Sequence, residues 1–94
     1  MKIVNIQNTT YHRNGVCGTG FYSAVISYED GVNFRKRLLV TFEANETKIN
    51  RENCRVISLD NLTSNWRGDV IADTLQEFFD NLKISNIYDF MSGN

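Results

Sequence analysis

The chain has 94 residues, 41% of them apolar and 12% aromatic, a formal net charge of −1 and no proline. That length suits one domain, residues 1–94, with one modest core, and the apolar share excludes a disordered chain. The charge removes the simplest case for binding DNA or RNA through an excess of Lys and Arg, and no apolar run approaches the roughly 18 residues of a membrane span.

In chain order, "KIVNIQ" (2–7) is β-branched and reads as a first strand, and the run "MKIVNIQNTT" (1–10) lacks the apolar central stretch of a secretion signal. The chain is therefore expected in the cytoplasm, with Cys17 and Cys54 reduced. "YHRNGVCGTGF" (11–21) carries three glycines and reads as a loop. "FYSAVISY" (21–28) alternates most clearly, with Phe21, Ser23, Val25 and Ser27 on one face and Tyr22, Ala24, Ile26 and Tyr28 on the other. Asp30-Gly31 then supplies a tight turn, and "FRKRLLVTFE" (34–43) returns as an antiparallel partner. "ANETKINREN" (44–53) reads as an exposed connection and "CRVISL" (54–59) as a further strand.

Beyond the polar loop 60–68 the period changes. In "DVIADTLQEFFDNLKI" the apolar Val70, Ile71, Leu75, Phe78, Phe79 and Leu82 recur at helical spacing, while Asp73, Glu77 and Asp80 fall away from them. Asp69 suits the cap of this helix, where a carboxylate meets free amides and the positive end of the dipole. The tail holds Ile87, Tyr88 and Phe90, enough to pack a last short segment. The order predicts an α+β domain: an antiparallel sheet of about four strands with one C-terminal amphipathic helix packed on one face. Residues 1–59 carry a net charge of +3 and residues 60–94 a net charge of −4, so the two parts attract each other or present opposite faces to partners.

Two stretches concentrate chemistry. Gly15, Gly18 and Gly20 have the reverse of the dinucleotide-binding order and lead into a strand, so neither a Rossmann turn nor a P-loop is present. Their amides, with His12 and Arg13, could cradle a phosphate or carboxylate, or the glycines simply let the chain turn. His12 five residues before Cys17 allows a thiol-dependent reaction, though no signature of a cysteine hydrolase surrounds it. His12, Cys17 and Cys54 lack the paired spacing of a metal site. In "SNWRGD" (64–69), Trp66 and Arg67 stand at the mouth of the helix, where they suit an anion, a stacked base or a protein anchor. The plainer reading has Trp66 closing the core and Arg67 paired with Asp69. "FRKR" places Arg35 and Arg37 on one strand face and Lys36 on the other, to meet acidic partners or to guard an edge.

The Tyr-His-Arg-Asn-Gly segment at 11–15 and the Trp-Arg-Gly-Asp segment at 66–69 ahead of a helix resemble those of a family of small uncharacterised proteins of phages, plasmids and bacterial genomes. Here Asn65 directly precedes Trp66 and the 44–53 connection is longer, two departures from that pattern. The resemblance implies a mobile-element setting, hence a host cell's cytoplasm, and no particular reaction. The first reading is a non-catalytic binding protein that docks on and inhibits a host defence protein. Its surface would be composed of Tyr11, His12, Arg13, Gly15, Gly18, Trp66, Arg67 and Asp69, with no cofactor, metal or membrane. Alternatives are a binder of a phosphorylated small molecule or nucleotide through the 11–21 loop and Arg67, or an enzyme using Cys17 and His12. Nucleic acid is a lesser variant, limited by the acidic carboxyl-terminal part, and the sequence leaves the oligomeric state open, a dimer included.

Overall fold

Strict alternation in β2 (Gly20–Glu29) sets the architecture: every second residue, from Tyr22 to Tyr28, is buried, and those between are half-buried. In the computed structural model, which describes residues 2–13, 20–29, 31, 35–59 and 67–92, β2 pairs antiparallel with β1 (Lys2–Arg13) and β3 (Arg35–Ala44). Strand β4 (Ile49–Ser58) pairs with β3, giving one sheet in the order β1-β2-β3-β4. Gly31 has φ +55°, the left-handed backbone for which the Asp-Gly pair between β2 and β3 was selected. The α+β class, the antiparallel sheet and the helix packed on one face of it are as the sequence predicts.

Three element boundaries differ. β1 continues to Arg13, so Tyr11, His12 and Arg13 belong to a strand and not to a loop. β4 begins at Ile49: the exposed connection is only 45–48, and the polar run 50–53 is an edge strand whose register slips opposite Phe42/Glu43. Helix α1 (Gly68–Asn81) starts one residue before Asp69, with Arg67 in the N-cap position and no side-chain cap. Asp69 instead lies in the first turn, where its Oδ1 accepts from the Val70 amide at 2.9 Å and favours the helix dipole. A second helix, α2 (Ile87–Ser92), follows.

The core lies between the sheet and both helices. Tyr22, Ile26, Leu38, Val40 and Phe42 from the strands meet Ile71, Leu75 and Phe79 of α1 and Ile87 and Met91 of α2. Leu82, expected in that core, is 53% exposed, because α1 has ended before it. Gly68 fixes where α1 starts: a Cβ there would overlap the Cys54 carbonyl oxygen, so only glycine lets the helix reach β4. Gln76 then ties α1 to the start of β4, accepting from the Ile49 amide at 2.8 Å and donating to the Thr47 carbonyl at 3.0 Å. Arg51 grips Asp73 with two hydrogen bonds, of 2.7 and 3.0 Å, so the basic and acidic parts of the chain do meet.

Candidate functional site

The face of the sheet turned away from the helices carries the arrangement most suited to recognition. Antiparallel register aligns its residues in cross-strand rows: Gln7, Val25, Leu39 and Ile57 form one, and Thr10, Ser23, Thr41 and Arg55 the next. Ser27 opposite Arg37 and Phe21 opposite Glu43 complete the central strands. Ile57 is 61% exposed and Val25 and Leu39 are half-buried, and among the described residues no element lies over this face. An antiparallel sheet open to water normally shows polar residues there. This one holds an apolar row within a hydroxyl and guanidinium rim.

The polar groups of the face are already ordered. Ser23 and Thr41 hydroxyls lie 3.5 Å apart, and Glu43 accepts from Asn50 at 2.8 Å and Asn53 at 3.3 Å. An apolar centre with a polar rim is also how protein-binding patches are commonly built.

The residues singled out from the sequence fall elsewhere. Tyr11, 49% exposed, lies near the end of β1 on the helix side, with its ring 5.2 Å from that of Tyr22 and lying where a side chain at Gly20 would stand. Tyr22 stacks in turn on Phe42 at 5.5 Å and Tyr88 at 6.0 Å, and the Tyr88 hydroxyl donates to the Ala44 carbonyl at 3.0 Å. Burial, then the neighbouring tyrosines, holds the Tyr22 phenol well above its ordinary range. His12 and Arg13 pair through their backbones with Phe21 and Gly20. Gly15, Cys17, Gly18 and Trp66 lie outside the described residues.

Arg67 is paired as its neighbourhood suggests: its Nε is 3.3 Å from Asp69 Oδ1, although its side chain is 75% exposed. Gly68, the residue after Arg67, packs on Cys54 of β4, whereas Tyr11 is on β1, and the strand order puts β1 and β4 at opposite edges of the sheet. Two intervening strands separate those edges by roughly 14 Å. Cys54 is a buried, desolvated thiol, pushed up to about 11 by burial.

On the helical side, a groove of about 450 Å³ lies between α1 and the start of β4, lined by Lys48, Arg51, Asp73, Gln76 and Asp80. Gln76 and Arg51 spend their donors across it on Thr47, Asp80 and Asp73, so it is a helix–sheet seam. No helix among the described residues is long and apolar enough to cross a membrane. Comparison with family models, curated proteins and solved structures finds nothing that matches this chain.

Proposed function

We propose that this chain is a small non-catalytic binding protein whose recognition surface is the open face of its sheet, and that its target is another protein. The observation that carries the reading is the Val25–Leu39–Ile57 row, apolar where a solvated sheet would be polar, inside a rim of Ser23, Thr41, Arg37 and Arg55. The resemblance of the Tyr-His-Arg-Asn-Gly and Trp-Arg-Gly-Asp segments to those of phage and plasmid proteins supports a mobile-element origin and a host defence protein as the target class.

The test is capture from host lysate followed by titration of the captured, purified protein against variants. Binding should be lost with Leu39→Glu and Ile57→Glu, which put a carboxylate into the apolar row, and kept with Glu77→Lys on the helical side. A captured protein that binds the open-face variants as tightly as the original chain overturns the reading.

A further inference from the structure

We propose that the open face takes an acidic protein segment, one that seats apolar side chains on the Val25–Leu39–Ile57 row and sets an Asp or Glu carboxylate on Arg55. The inference rests on the reading of that face as a protein interface and names the chemistry of its partner.

Register puts Arg55 beside the apolar row. It stands two residues before Ile57 on the same face of β4, roughly 7 Å along the strand, and directly opposite Thr41 of β3. Arg55 is exposed, and among the described residues its side chain makes neither an ion pair nor a hydrogen bond. Glu43, two residues beyond Thr41 on the same face, does not supply one: its Oε1 is held by the side-chain amides of Asn50 and Asn53, at 2.8 and 3.3 Å. Arg37 and Glu29 are engaged within the chain. Asp73, Glu77 and Asp80 belong to α1, on the other side of the sheet. Arg55 is therefore the charge beside the row that is left for a partner.

Covering the row selects the sign of that partner. Whatever closes over Leu39 and Ile57 also takes water from the guanidinium one step along the strand. A neutral or basic neighbour leaves it desolvated and unpaired, which is costly. A carboxylate replaces the lost hydration with charge-assisted N–H···O bonds, which a guanidinium can donate two at a time. The Thr41 hydroxyl, opposite Arg55, lies within reach of the same carboxylate. Desolvation thus rejects wrong partners as strongly as the ion pair rewards the right one. The partner's carboxylate must stand roughly 7 Å from an apolar side chain, as residues two apart on one face of a strand do, or residues three or four apart on a helix.

Fluorescence anisotropy on the full chain tests this with two labelled peptides of about twelve residues, one repeating Val-Ser-Glu-Ser and the other Val-Ser-Lys-Ser. The acidic peptide should bind about tenfold tighter at about 0.1 M salt, and the gap should narrow as salt rises. Arg55→Gln should abolish the preference and Arg55→Glu reverse it, with equal melting temperatures confirming that these variants of an exposed residue fold. Oligothymidylate of similar length is the third arm. The proposal is overturned if the basic peptide or the oligonucleotide binds more tightly, if the acidic preference survives Arg55→Gln, or if neither peptide binds at millimolar concentration. Leu39→Glu then judges the face by itself. Loss of the captured host protein on Leu39→Glu, with no preference for acid, keeps the docking face and removes the acidic partner, whereas Leu39→Glu sparing the host protein removes both readings.

Discussion

Leu38 and Leu39 are identical side chains one residue apart, and they report two different worlds. Leu38 is fully buried between the sheet and the helices, opposite Ile26 and Ser58, while Leu39 faces outward opposite Val25 and Ile57. The helix-side face is closed by two helices and holds all seventeen buried hydrophobic residues of the described chain. The outer face keeps apolar residues with no second layer over them among the described residues. Burial on the first face stabilises the fold of one chain; on the second the same chemistry becomes available to another chain.

Replacing each leucine in turn breaks that comparison most sharply. Leu38→Ala should lower unfolding stability by about 3 kcal/mol, a lost side chain plus the cavity behind it. Leu39→Ala should cost under about 1 kcal/mol in the monomer while weakening association. Urea denaturation at low protein concentration measures both, and equal losses would show that the outer face is covered from within. Gly68→Ala comes next, at about 2–3 kcal/mol, because the new methyl must displace the Cys54 carbonyl, which β4 holds in register with Phe42. A variant of ordinary stability would mean that α1 does not lean on β4 through residue 68.

What the sequence disclosed follows the same division. β2 was legible because burial on one face imposes a period of two on Tyr22, Ala24, Ile26 and Tyr28, and α1 because Ile71, Leu75 and Phe79 repeat at helical spacing. The Ile49–Asn53 part of β4 was not, since an edge strand with exposed Asn50, Arg51, Glu52 and Asn53 leaves no apolar trace, and its ties to α1 through Gln76 and Arg51 are distant in sequence. β1 beyond Gln7 was hidden for a similar reason: Tyr11 finds its aromatic partner in Tyr22, on another strand. The candidate surface left a readable sign in Val25, which breaks a run of serines on the outer face of β2, but its alignment with Leu39 and Ile57 depends on register. Strand order, which sets Tyr11 and Arg67 at opposite edges, comes from long-range pairing and has no local signature.

Alkaline pH should loosen the closed face selectively. An unfolded cysteine loses its proton near pH 8.5. Burial keeps the Cys54 proton on the folded chain up to about pH 11, so the folded state binds more protons across that interval and stability falls as pH rises through it. The loss should be on the order of 1–2 kcal/mol, with Tyr22 adding a loss of the same sign at higher pH. The urea midpoint should fall less between pH 7.5 and 10.5 for Cys54→Ala than for the original chain, and Leu39→Ala should track the original. Identical pH slopes with and without the thiol would mean that Cys54 is solvated.

The smallest effect separates the two faces without touching either. Helix α1 ends in a Schellman turn: the Lys83 amide donates to the Asp80 carbonyl at 3.0 Å and the Ile84 amide to the Phe79 carbonyl at 3.2 Å. Lys83 sits at φ +54°, a conformation that costs a residue with a Cβ and that glycine adopts freely. The turn sends Ile84 back against the core and lets Ile87 and Met91 of α2 complete the layer, so its strain belongs wholly to the closed side. Lys83→Gly should therefore raise stability by about 0.5–1 kcal/mol, the relieved strain exceeding the entropy that glycine adds to the unfolded chain. Binding of a protein partner at the open face should not change, because the substitution lies on the opposite side of the sheet from the Val25–Leu39–Ile57 row. A gain in stability accompanied by altered association would show that the two faces are coupled through the strands between them, and that the outer row is not an independent surface.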